Sequence, residues 1–229
     1  MNMIKLCNEI ISSRSAYGSI QPRLCQLPKG HSGKHSEFHY LDHLRTVQKS
    51  VAEKIKRDST MTTGAAWKSE EAGPNRILRW VMLLPDDELA RYNIRMGKLK
   101  PQVVAKLREK AATYYDCTSV AKKLTWLVYQ MNGAPKPPQE TRDYLESYFG
   151  DMKSGSTACI ICREKLDFSL FSKAQRGKAE IETGHISPRE HNSDNVGFAH
   201  RECNIAQGKK TVSEFYKWIR GIIKRVDAG

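Results

Sequence analysis

From Tyr40 onward, apolar residues recur at Leu41, Leu44, Val51 and Ile55, steps that line up on one face of a helix, while Arg45, Lys49, Lys56 and Arg57 fall elsewhere. The spacing predicts one amphipathic helix with a basic side. A polar stretch, Asp58 to Asn75, separates it from the apolar run Ile77 to Leu84, which Pro85 ends. Pro101 opens a helix carrying Val103, Val104, Leu107 and Ala111, because proline's fixed φ suits a first turn where its missing amide has no partner to lose. Another helix is expected through Val120, Leu124, Leu127, Val128 and Met131. These stripes are read as core, since a helix in water is held mainly by packing of its apolar face.

The segment Asn132-Gly-Ala-Pro-Lys-Pro-Pro-Gln139 cannot continue a helix, because proline lacks the amide donor and its ring collides with the preceding turn. It is the predicted boundary between two domains, residues 1–138 and 139–229. Beyond it a short helix is expected from Glu140 to Phe149, and a final one from Val212 through Phe215, Ile219, Ile222 and Val226. The first forty residues are rich in Gly, Ser, His and Pro and show no periodicity. They are expected to be irregular and to need an external organiser.

Charge narrows the choice of partners. Lys and Arg total 38 against 25 Asp and Glu, a net charge of +13, and residues 1–138 hold 23 of the basic and 12 of the acidic side chains. Such an excess is the electrostatic signature of a polyanion-binding surface, concentrated in the N-terminal part. No apolar run reaches the length of about 20 residues needed to cross a bilayer, so the chain is expected to be intracellular, cytoplasmic and without a membrane partner. Six cysteines in that compartment point to thiols or metal ligands rather than disulfides.

Their spacing carries the chemistry. Cys159-Ile-Ile-Cys162 is matched downstream by His200-Arg-Glu-Cys203, two pairs with the same gap. Zn²⁺ favours four tetrahedral nitrogen and sulfur ligands, and one tight turn can supply two of them, so these four residues form a candidate structural zinc site with no open position for catalysis. Cys25, His31 and His35, with Cys7 upstream as a fourth donor, form a second candidate zinc knuckle that would order the N-terminal stretch. Cys117 stands alone and is expected to be an ordinary buried thiol. A nucleobase deaminase also uses His and Cys ligands, but its paired signature is absent.

Between the two main pairs lie Glu182-Thr-Gly-His185-Ile-Ser-Pro188 and Asp194-Asn195-Val196, and the second pair runs into Asn204-Ile-Ala-Gln-Gly208. From Cys159 to about Lys210 the chain resembles the HNH, or ββα-metal, endonucleases, and in particular those of restriction type; the resemblance does not extend to residues 1–138. Taken with the helical stripes and basic charge of residues 1–138, it gives an expected α+β fold: a mainly helical, basic DNA-binding and specificity domain followed by the small zinc-stapled ββα-metal nuclease domain that the resemblance implies. It implies that His185 is the general base, a role that suits imidazole near neutral pH. It makes Asn195 the residue that braces the His-bearing turn and Asn204 a ligand of a catalytic Mg²⁺ or Mn²⁺. The expected reaction is hydrolysis of double-stranded DNA to 5′ phosphate and 3′ hydroxyl ends, in a prokaryotic or phage-encoded enzyme that could act as a homodimer.

One position departs from the family. Many members carry Asp beside the base histidine as a second metal ligand, and Gly184 stands there. Glu182 lies on the same strand face as position 184 and could approach the ion instead. Arg189 and His191 lie in the loop beyond His185 and are expected to be solvent-exposed. The alternatives are a phage or mobile-element HNH nicking nuclease, which shares the chemistry, and a zinc-containing DNA-binding protein that has lost cleavage. RNA is disfavoured, because the aromatic sheet signature of the common RNA-recognition module is missing.

Overall fold

A computed structural model describes residues 5–11, 23–62, 77–91, 95–172 and 179–228. Within them the chain is mixed α and β, with helices dominating and two small antiparallel sheets. Of the predicted polar stretch, residues 63–75 lie outside the described residues.

The N-terminal segment is less irregular than its composition predicts. Strands β1 (Ile10–Ile11) and β2 (Arg23–Leu24) pair antiparallel, and Leu6 bridges Pro28. Backbone bonds from Cys7 N to Leu27 O, 2.8 Å, and from Cys25 N to Glu9 O, 2.8 Å, lock the two arms together.

The single helix expected from Tyr40 is two helices, α1 (Asp42–Val47) and α2 (Lys49–Thr60). Gln48 between them leaves the helical region, at φ −149 and ψ 79. The periodicity does not register the break, because Leu44 on one side and Val51 and Ile55 on the other still face the same core. Next, Arg79–Leu83 form a 3-10 turn, and α3 (Asp86–Arg91) starts just past Pro85, a helix the apolar pattern did not announce. Helices α4 (Pro101–Arg108), α5 (Tyr114–Val128) and α6 (Gln139–Phe149) follow close to their predicted spans. The first ends before Ala111 and the second before Met131.

The C-terminal part contains strands β3 (Ile181–His185) and β4 (Val196–His200), which pair antiparallel with Gly184 opposite Gly197 and His185 opposite Val196. Helix α7 (Arg201–Gln207) follows β4 without a loop, and α8 (Val212–Val226) closes the described chain. A capping box starts α8: Glu214 N donates to Thr211 Oγ1 at 3.2 Å and Thr211 N donates to Glu214 Oε2 at 2.8 Å.

Helix α5 is the spine. Its first turn, with Tyr114 and Cys117, joins Trp80, Met82, Leu89 and Leu107 in one apolar cluster. From Val120 onward it joins a second cluster that takes in Leu44 and Ile55 as well as Leu145, Phe198 and Phe215. The larger core therefore runs continuously through residues on both sides of position 138.

The seat of the Cys159–Cys162 turn on the hairpin is built from two glycines. A Cβ at Gly197 would fall inside the Ile160 Cγ2 methyl, and one at Gly184 would lie 2.9 Å from Ile160 Cδ1 and 3.2 Å from Ala199 Cβ. Ile160 thus occupies the space in front of both. The Ile160 amide also donates to Phe198 O at 3.0 Å, which ties the Cys159–Cys162 turn to β4. Gly197→Ala is expected to destabilise the protein by about 1–3 kcal/mol, because a β-branched methyl close to the backbone cannot swing clear. Gly184→Ala meets the flexible end of Ile160 and, less tightly, Ala199 Cβ, and should cost less; urea denaturation midpoints of the two variants check the order.

Candidate active site

The loop between β3 and β4 is held by Asn195. Its Nδ2 donates to Ser187 O at 2.8 Å and to Glu190 O at 2.6 Å, while its Oδ1 accepts from Ser187 N at 2.7 Å. At 7% exposure, Asn195 satisfies loop backbone groups that no strand could reach. The loop therefore leaves His185 at a defined point at the end of β3.

His185 is half-buried, and its Nε2 lies 3.1 Å from His191 Nδ1. His191 Nε2 in turn lies 2.7 Å from the carbonyl of Ser59, in the last turn of α2. His191 is therefore buried, at 9% exposure, where the sequence led us to expect a solvent-exposed residue. Its anchor, the Ser59 carbonyl, comes from a helix over a hundred positions upstream, and no local pattern reports it. Arg189 is exposed as expected.

Beside the pair, Thr183 Oγ1 donates to Asp58 Oδ2 at 3.1 Å, and Asp58 is also held by Lys54 at 2.7 Å and Arg57 at 3.0 Å. Arg79, 6% exposed, donates to the carbonyls of Lys110 at 3.0 Å and Asp58 at 3.4 Å. Burial, followed by the positive charges of Arg79 and Lys110, pushes the His185 pKa down to about 4 against the pull of Asp58. Burial, followed by Arg79, takes His191 down to about 3. Both rings are neutral near pH 7.

These depressed values carry a stability consequence. In the unfolded chain both imidazoles bind protons below about pH 6.5, whereas the folded protein resists until roughly pH 4. Their contribution is complete above the unfolded value and is lost progressively as pH falls from about 6.5 toward 4. The urea midpoint is expected to drop between about pH 7 and pH 5, with a smaller drop in His191→Gln, which has one fewer such group.

Glu182 and Asn204 meet on the other side of the hairpin. Asn204 Nδ2 donates to Glu182 Oε2 at 2.7 Å, and Arg201 lies 3.9 Å from Glu182 Oε1. Asn204 Oδ1 remains as an acceptor next to a carboxylate, a pair of hard oxygen donors of the kind Mg²⁺ takes. One turn further along α7, Gln207 Nε2 donates to His185 O at 2.9 Å, so the helix is registered against the strand end. Alternation along β3 puts the Glu182 and His185 side chains on opposite faces, and no hydrogen bond joins His185 to Asn204 among the described residues. Ile160, packed over Gly184, fills the place where a side chain at position 184 would stand.

Two groups of soft donors stand among the described residues. The ligand atoms of Cys159, Cys162, His200 and Cys203 lie within 4.8 Å of one another, as do those of Cys7, Cys25, His31 and His35. Cys162 Sγ is 3.3 Å from His200 Nδ1, Cys25 Sγ 3.4 Å from His31 Nε2, and Cys7 Sγ 3.5 Å from His35 Nδ1. Sulfur and nitrogen ligands on one tetrahedral zinc stand about 3.5 Å apart, so both groups have the size of a zinc shell. Burial raises the Cys159 thiol, but backbone amides of Cys162 and Ile161 aimed at the sulfur outweigh it and lower the pKa, while burial, followed by the neighbouring Cys159, pushes the Cys203 thiol up to about 12. At the N-terminal group, His35 Nε2 contacts Glu9 at 3.0 Å, the outer carboxylate that commonly orients a metal-bound imidazole. Cys117 is fully buried away from both groups, and burial pushes its thiol up to about 12.

A solved structure described as the crystal structure of a type II restriction endonuclease is 45% identical to this chain, covers 99% of it and 100% of its own length, and superposes with a TM-score of 0.88. A comparison with curated proteins gives no match. Fold and sequence together place the protein among restriction endonucleases, DNA-cleaving hydrolases. The DraIII family model matches residues 37–203, most of the chain, and the chain belongs to that family. The matched span takes in α1 to β4, with His185, Asn195 and the Cys159 group, and stops one residue before Asn204.

Proposed function

We propose that the protein is a metal-dependent endonuclease of the HNH type that hydrolyses double-stranded DNA, with His185 as general base, Asn195 as loop brace, and Asn204 with Glu182 as the donors for a catalytic Mg²⁺ or Mn²⁺. The observation that carries this reading is the succession of hairpin and helix. β3 ends on a neutral, braced imidazole, β4 returns, and α7 brings Asn204 to a carboxylate, the whole clamped to α5 beside a four-donor Cys/His group.

In this reading His185 accepts the proton of the water that attacks the phosphodiester. Its depressed pKa keeps the ring unprotonated, so a lone pair is available throughout the neutral range. Asn195 keeps the 186–195 loop from collapsing onto that ring, and Gln207 holds the backbone of the strand end. A divalent ion at Asn204 and Glu182 would supply electrostatic stabilisation of the scissile phosphate and the departing 3′ oxygen. The products are then 5′ phosphate and 3′ hydroxyl ends. The Cys159 group, and the Cys7 group with it, take structural zinc, which leaves no ligand position open for catalysis. Affinity comes largely from the basic residues of the first 138, which meet the phosphate backbone.

The test is cleavage of plasmid and genomic DNA by the zinc-loaded protein with Mg²⁺, with Mn²⁺, and with neither. Cutting that needs an added divalent ion and leaves ends that a ligase rejoins directly supports the assignment. Equal cutting without an added ion, or ends carrying 3′ phosphate, would overturn it.

A further inference from the structure

The contact between His185 and His191 contains more than proximity, because hydrogen bonding assigns every proton along it. The Ser59 carbonyl can only accept, so His191 Nε2, 2.7 Å away, must carry a hydrogen. A neutral imidazole has one N–H, which leaves His191 Nδ1 as an acceptor. The hydrogen in the 3.1 Å contact therefore belongs to His185 Nε2, and the His185 lone pair resides on Nδ1.

We propose that His191 is a positioning residue for the nuclease reaction: anchored on the α2 carbonyl of Ser59, it accepts from His185 Nε2 and so commits Nδ1 as the proton-accepting atom and sets the plane of the ring. This deepens the assignment of His185 as general base and rests on it. Ser59 lies in the final turn of α2, where a carbonyl has no intrahelical partner and is free to accept. The anchor is rigid, since Ser59 is fully buried and its own hydroxyl bonds back to Ile55 O at 2.8 Å. The charged groups facing the pair are Asp58 from α2, Arg79 from the 3-10 turn before α3, and Lys110 from the segment after α4. The two cations disfavour a second proton on either ring, so the one-proton arrangement is the stable one near neutrality.

The experiment uses the full-length metal-loaded protein with His191→Leu, which removes the acceptor, and His191→Gln. The glutamine amide offers an oxygen for His185 and an N–H for Ser59 at nearly the spacing of the two ring nitrogens. Single-turnover DNA cleavage is measured beside DNA affinity, and the His185 tautomer is read from long-range proton–nitrogen correlation of the imidazole. His191→Leu is expected to lose about 10- to 100-fold in rate with affinity little changed, the scale of an orienting outer partner, and His191→Gln to regain most of it. The wild-type and His191→Gln spectra should show the proton on Nε2.

Wild-type cleavage by His191→Leu, or a wild-type spectrum with the proton on Nδ1, would overturn the proposal. The spectrum decides even if His191→Leu fails to fold. His185→Ala run in parallel separates the two levels. If it is inactive while His191→Leu is unimpaired, only the positioning role falls; if it cuts normally, the general-base reading falls and takes this one with it.

Discussion

His185→Ala is expected to cleave double-stranded DNA about 10²- to 10⁴-fold more slowly than the natural protein, the range that a positioned general base contributes. Binding should hardly change. With its pKa lowered to about 4, His185 is uncharged near neutrality, so its removal releases no phosphate-neutralising cation. The measurement is a pair of curves on one substrate: single-turnover rate with Mg²⁺, and affinity with the divalent ion withheld. A variant that binds and cuts like the parent would remove His185 from the chemistry, whereas a parallel fall in rate and affinity would point to a phosphate contact instead.

Cys159→Ala is expected to have the largest effect on the fold. Cys159 has no exposed surface, and its group also contains Cys162, His200 and Cys203. A metal bound there would couple the 159–162 turn to the end of β4 and the start of α7, the two elements that follow the candidate base. In small motifs a structural zinc supplies folding free energy of about 10 kcal/mol or more. Here the adjoining core carries part of the load through Ile161, Phe198 and Phe215, so the loss should be several kcal/mol rather than complete unfolding. Metal analysis should find two zinc ions per natural chain and one in Cys159→Ala, with a lowered melting temperature and no cleavage. Cys117→Ala, a buried thiol outside both groups, should keep both ions. Unchanged metal content in Cys159→Ala would end the structural-zinc assignment at that group.

The glycine at position 184 looked, from the chain alone, like a missing ligand. In the fold it is a packing requirement: Ile160, inside the first cysteine pair, fills the space a side chain would take. Glu182, on the same strand face, meets Asn204 instead. An aspartate introduced at 184 would have to push aside the Cδ1 end of Ile160 and crowd Ala199.

What the sequence by itself determined was whatever depends on short separations. Two donors three positions apart can share a turn, so the Cys159–Cys162 and His200–Cys203 pairs were each legible, and proline placement with helical periodicity located α4, α5, α6 and α8. The tertiary structure alone decided the rest: the break at Gln48, the pairing of β1 with β2, the core that passes position 138, and the burial of His191 on Ser59. The core that passes position 138 and the burial of His191 depend on contacts between segments far apart in the chain. The energy of such a contact is set by which surfaces meet in space, and neither residue type nor local spacing records that.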